Sequence, residues 1–269
     1  MEPEAAIKSV RCITCGYDLV GLTPEMACPE CGISVERSIR GDLLRWRDPK
    51  YLKRLHTGAV LIQTALSLIV VAFLLQLFAA PLASTNMRGV PIIVPLLAIL
   101  ASIGFTVGVI LYPVGWFFLT ARDPGRTDDE KGQRSRRLVR LSIVFMLVST
   151  VLAFGIGFTL PLFAMSGAMN EQLASLLLFI AGAAQIVNLL VWVLQYYASM
   201  AYLRWLAERI PSERVYKRAK LLLWLGPILL LFFCFVIPPL IAVVLYYNML
   251  SWIRTELNAI RSEQLASAA

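Results

Sequence analysis

Cys12-Ile-Thr-Cys15 and Cys28-Pro-Glu-Cys31 are two C-x2-C pairs separated by twelve residues. Each pair closes a tight knuckle, and four thiolates brought together complete a tetrahedral site with no open position. That is metal-binding chemistry of the structural kind, because a closed site leaves no place for a substrate or an activated water. A glycine follows each knuckle, Gly16 and Gly32, where the chain must turn and φ is often positive. A domain of this size buries too little apolar surface to fold alone, so a metal would supply its stability.

Two other chemistries compete for these cysteines. Disulfides would need an oxidising compartment, and the charge distribution described below puts the module in the cytoplasm, where thiols stay reduced. Rubredoxin-type iron uses C-x2-C-G-Y and C-P-x-C-G knuckles too, but with a longer insert between them and core aromatics that this chain lacks. The expected cofactor is therefore a structural Zn2+, with iron the less favoured ion.

The second group with chemical potential is a polar stripe. Gln185, Asn188, Gln195 and Ser199, with Trp192 between them, fall within about 80° at 100° per helical residue and share a face. Such a face can line a groove for a ligand or lipid headgroup, or its amides can join helix to helix. Catalytic constellations are missing: there is no H-E-x-x-H, no second histidine beside His56 and no G-x-S-x-G elbow. The expectation is a protein that is not an enzyme.

These residues are carried by an apolar chain. Hydrophobic residues make up 58% and charged residues 16% of 269, with mean hydropathy +0.72, far from the soluble norm. Five blocks, 57–87, 89–121, 141–170, 172–203 and 221–253, contain no Asp, Glu, Lys or Arg. Each exceeds the roughly 20 helical residues that span a bilayer core, and helix is the conformation that satisfies backbone polar groups there. Absent intramembrane charges weigh against proton-coupled transport.

The net charge of +8 is unevenly spread. Nine Lys/Arg precede the first block, seven lie in 121–140 and six in 204–220, whereas the intervening loops hold only Arg88. This alternation places the N-terminus and both basic loops in the cytoplasm. The last block can be one helix, giving five spans, or a hairpin turning at Pro238-Pro239, giving six; adjacent prolines break a helix and suit the first turn of the next. Six spans put 24 of 25 cations inside and are favoured, near 58–80, 91–120, 138–165, 172–203, 219–237 and 239–258.

Between the module (1–40) and the first span, residues 41–57 predict a basic juxtamembrane helix. Asp48-Pro49 starts it; Tyr51, Leu52 and Leu55 take one face and Lys50, Lys53 and Arg54 the other, with Trp46 and Tyr51 as interfacial anchors. Arg134, Arg136, Arg137 and Arg140, near Asp128-Asp129-Glu130, face anionic headgroups; short loops of this kind offer no platform for nucleic acid. His56 can sense pH or be incidental. Gly104, Gly108 and Gly115, and Ser149, Ala153 and Gly157, form small-residue stripes where helices approach, within the chain or between two copies of it. Cys234 reads as a small buried hydrophobe, and residues 254–269 as a short tail.

The run C-I-T-C-G-Y-D-L-V-G-L…C-P-E-C-G over Cys12–Gly32, followed by Arg45–Leu55, resembles the N-terminal zinc ribbon and juxtamembrane segment of a group of uncharacterised bacterial multi-pass membrane proteins. The resemblance covers about the first 57 residues, implies Cys12, Cys15, Cys28 and Cys31 as ligands, and implies no activity. Ribbons also precede five-span domains of the Yip family, whose specific motifs are missing here. The fold expected is an all-α polytopic membrane protein of five or six helices with a small four-cysteine ribbon, in the inner membrane. The function expected is an adaptor: the ribbon, through Glu25, Met26, Glu30 and Ile33, binds a cytoplasmic protein. The alternative is a channel or transporter for a neutral or lipid-like substrate, using Gln185, Asn188, Trp192 and Gln195.

Overall fold

The computed structural model describes residues 12, 15, 17–41, 43–84, 93–124, 130–165, 171–210, 212–232, 235 and 237–268. After the cysteine module come a short helix α1 (Val35–Arg40) and a 3-10 turn (Leu44–Trp46). Six long helices follow: α2 (Pro49–Ser84), α3 (Ile93–Leu119), α4 (Glu130–Met165), α5 (Glu171–Glu208), α6 (Glu213–Leu231) and α7 (Ile237–Ala268). Among the described residues, Pro49–Phe78, Val94–Leu119 and Ser175–Glu208 are long and apolar enough to cross a membrane.

The helix boundaries follow local chemistry. Asp48 caps α2, its carboxylate accepting the Lys50 N–H at 2.8 Å and its carbonyl the Leu52 N–H at 3.1 Å, with Pro49 in the first helical position where no donor is needed. The last uncharged block is two helices, not one: α6 stops at Leu231 and α7 opens at Ile237 with Pro238 and Pro239 in its first turn. Arg218 lies over the Trp252 ring at 5.5 Å. These residues stand about equally far from the break, so α6 and α7 run antiparallel.

Sequential helices pair, and α7 returns to pack on α2, while α3 and α4 touch only lightly. The closest approach is α2 to α3. A Cβ on Gly58 would lie 2.5 Å from the Leu119 nitrogen and 2.7 Å from the Gly115 carbonyl; one on Gly115 would lie 2.9 Å from the Ile62 nitrogen; one on Gly108 would lie 3.0 Å from the Ala65 carbonyl. Backbone meets backbone here, so a rotamer change cannot relieve a larger residue. The expected small-residue stripe is thus corrected: Gly108 and Gly115 belong to the contact, Gly58 joins them, and Gly104 has nothing within 4 Å. Gly115→Leu is expected to lower the melting temperature in detergent markedly and Gly104→Leu hardly at all. Equal melting temperatures would contradict the contact.

The core lies in the half of the bundle nearest the basic loops. Trp116, Leu119, Ile143, Met200, Tyr202, Leu203, Leu206, Leu250 and Ile253 are fully enclosed there. Large apolar residues elsewhere, among them Phe78, Val151, Phe179 and Ile186, point outward, leaving an extensive apolar outer surface.

Several expectations change at this level. Tyr51, Leu52 and Leu55 are buried in the bundle core and not at a headgroup surface, because residues 49–57 form the first turns of α2. Trp46 is exposed, as are Lys50, Lys53 and Arg54. Residues 254–268 are the last turns of α7 rather than a tail. Half-buried His56 feels the cations Arg254 and Arg261 of α7. Cys234, Gly16 and the Asp128–Asp129 stretch lie outside the described residues.

Candidate metal centre

The two knuckles are built alike. The Cys12 N–H donates to the Tyr17 carbonyl and the Cys28 N–H to the Ile33 carbonyl, each at 2.7 Å, so both chains turn back after five residues. Gly32, at φ 70°, closes the second knuckle, and its N–H donates to the Cys28 carbonyl at 2.8 Å. Only glycine takes that conformation without strain. An antiparallel bridge between Ala27 and Ser34 holds the base of the turn. Beneath it Cys12, Leu19, Cys28 and Val35 are buried, with Leu22 and Ile33 against them.

This geometry brings all four sulfurs within 4.8 Å of one another. Cys12 Sγ and Cys31 Sγ are 3.5 Å apart, and Cys15 Sγ and Cys28 Sγ 3.6 Å. A disulfide would need about 2.05 Å, whereas tetrahedral sulfurs at about 2.3 Å from one ion sit about 3.8 Å apart. The set therefore can hold a metal ion. The Tyr17 backbone N–H favours the Cys15 thiolate, but desolvation and the sulfurs of Cys12, Cys28 and Cys31 outweigh it and push the thiol up to about 12. Four thiolates this close need a cation among them, and a bound metal would displace the protons.

No protein-family model, curated protein or solved structure matches this chain.

Glu25, Met26 and Glu30 are exposed on the module, as expected of contact residues. Ile33 is not: it is half-buried against the small core. Tyr17 and Val20 are exposed instead, two residues before and one after the buried Leu19, and invisible to spacing arguments.

A second assembly, which sequence reasoning missed, roots the segment that follows the module. Asp123, on the loop after α3, is 2% exposed and receives Arg209 at 2.6 Å and Arg47 at 3.4 Å. Arg209, at the end of α5, stacks over Trp205 at 5.1 Å, and its carbonyl accepts the Leu44 N–H at 3.0 Å. From α7, Gln264 Nε2 donates to the carbonyls of Arg45 and Arg47 at 2.8 and 2.9 Å, and Glu263 pairs with Arg45. Arg140 donates to the Thr120 hydroxyl and carbonyl at 3.1 and 2.9 Å, and Arg136 lies over Trp205 at 5.3 Å. Thus Arg136 and Arg140, expected to face anionic headgroups, are engaged within a cap on the bundle. One signal was available: Asp123 is the sole carboxylate between Asp48 and Asp128.

The polar stripe of α5 divides. Asn188 Oδ1 accepts the hydroxyls of Ser149 at 2.9 Å and Thr150 at 3.3 Å. Gln195 is buried, accepting from Ser142 and donating to Ser199 at 3.2 Å. Both amides therefore bond α5 to α4 or to their own helix. Trp192 packs toward Tyr112, with ring centroids 6.5 Å apart, and Gln185 is exposed. Ser149 bonds to Asn188 of α5 and Ala153 is buried; Gly157 falls where only the helix backbone is described.

Proposed function

We propose that this protein is a non-enzymatic, six-span protein of a bacterial inner membrane whose N-terminal module is a cytoplasmic zinc ribbon acting as an adaptor for a protein partner. The resemblance of Cys12–Gly32 to the ribbons of bacterial multi-pass proteins enters as part of the same proposal. Zinc is preferred to iron on the short twelve-residue interval between the knuckles.

The observation that carries this reading is the rooting of the ribbon's linker. Leu44, Arg45 and Arg47 are held by Arg209, Asp123, Glu263 and Gln264, groups from three separate parts of the bundle. A module followed by a flexible tether could bind a partner anywhere. A module followed by a segment bolted to the cap delivers its partner to one face of the membrane bundle. The transporter reading draws less support, because Asn188 and Gln195 are engaged between helices and Gln185 is exposed.

One fusion tests both halves. A chain lacking residues 1–40 and carrying C-terminal green fluorescent protein is expected to insert, to fluoresce because six spans return the C-terminus to the cytoplasm, and to lose the partner that the intact chain retains. A dark, inserted fusion would indicate an odd number of spans. Unchanged partner recovery would overturn the adaptor.

A further inference from the structure

The outer face of α6 carries an open groove of about 520 Å³ lined by Lys217, Lys220, Leu221, Trp224, Leu225 and Ile228. Their spacing of three and four residues makes one continuous stripe along the helix. The stripe changes character along its length. Two lysines stand at its mouth, at the basic end of the bundle, and everything beyond them is apolar.

Trp224 forms the middle of the groove. It is 67% exposed, yet its position is fixed by Tyr197 of α5, which meets it edge-on at 6.4 Å between ring centroids. Leu221 and Ile228 are also half exposed or more. From Lys217 to Ile228 the helix rises about 16 Å, close to the roughly 15 Å thickness of one leaflet of a hydrocarbon core. Aromatic residues one turn below lysines occupy the depth at which headgroup gives way to acyl chain.

We infer that this groove is a binding site for a single anionic phospholipid of the cytoplasmic leaflet. Its phosphate sits between the ammonium groups of Lys217 and Lys220, and one acyl chain runs down Leu221, Trp224, Leu225 and Ile228. Charge complementarity at one end and apolar length at the other select this occupant. A zwitterionic lipid fills the apolar slot equally well but gains less at the lysines, and an acidic peptide would leave the slot empty. The inference rests on the reading of α6 as a membrane helix.

The test uses the full chain in detergent, titrated with phosphatidylglycerol or phosphatidylcholine of identical acyl chains and read by native mass spectrometry. Wild type is expected to retain phosphatidylglycerol about tenfold better, because the two lysines favour an anionic headgroup. Lys217→Gln/Lys220→Gln is expected to bring the two lipids near parity, whereas Lys53→Gln, which removes an exposed cation of α2 that does not line the groove, preserves the preference. A Trp224→Ala variant is expected to weaken both lipids alike. Retained selectivity in the double lysine variant, or loss of it in Lys53→Gln, overturns the site. Integration is checked separately: if alkaline carbonate releases the chain from membranes, the membrane reading itself fails. If the chain stays and shows no lipid preference, only the groove does.

Discussion

The Cys28→Ser/Cys31→Ser variant is expected to carry no zinc, to unfold between residues 12 and 41, and to reach the membrane at wild-type levels. The reason is one of scale. Beneath the knuckles only Cys12, Leu19, Cys28 and Val35 are buried, with Leu22 and Ile33 against them. So small a core cannot by itself offset the conformational entropy of ordering the module, and the binding free energy of a structural metal becomes folding free energy. The bundle has its own core and does not share this dependence. Metal analysis together with limited proteolysis checks the expectation. Because thiolates must be reprotonated as the ion leaves, acidification is also expected to release it. A protease-resistant, metal-free ribbon would contradict this account of the module.

Asp123→Ala is expected to be the most damaging single change in the bundle. Asp123 and Arg209 are 2% and 3% exposed, so removing the carboxylate leaves a guanidinium buried without its counter-charge, with Arg47 beside it. Breaking a buried pair from one side costs about 3–5 kcal/mol. Arg45→Ala provides the comparison, since its pair with Glu263 is 55% exposed on both partners and worth about 0–1 kcal/mol. Unfolding in detergent should therefore separate the two clearly. Loss of Asp123 should also loosen the Leu44–Arg47 segment, read as faster proteolysis near Arg47. Indistinguishable variants would mean that the cap is not a stabilising unit.

The parts that sequence revealed are those whose causes are local. Two thiols three residues apart must share a knuckle, and a second pair twelve residues later lies within easy reach of the same ion. Asp48-Pro49 starts a helix through its own carboxylate, and Pro238-Pro239 marks the start of another through missing donors. The parts that stayed hidden depend on partners far along the chain. Asp123 reads as a loop residue until Arg47 and Arg209 arrive from 76 and 86 positions away. Tyr51 has the sequence environment of an interfacial anchor, but it is buried in the core, close to Arg209, Asp123 and Arg136. Gly104 and Gly108 are four residues apart on α3, yet only Gly108 faces α2. Periodicity names a face and not its neighbour. The amide stripe illustrates the same limit: Asn188 and Gln195 meet α4 hydroxyls, while Gln185, on the same predicted face, is exposed.

The most direct test of the adaptor is affinity purification of the full-length chain in mild detergent, wild type beside Cys28→Ser/Cys31→Ser at matched membrane levels, with bound metal and co-purifying proteins measured in the same samples. Wild type is expected to carry about one zinc per chain and a reproducible partner, both lost from the variant. Zinc lost with every co-purifying protein retained would contradict the adaptor.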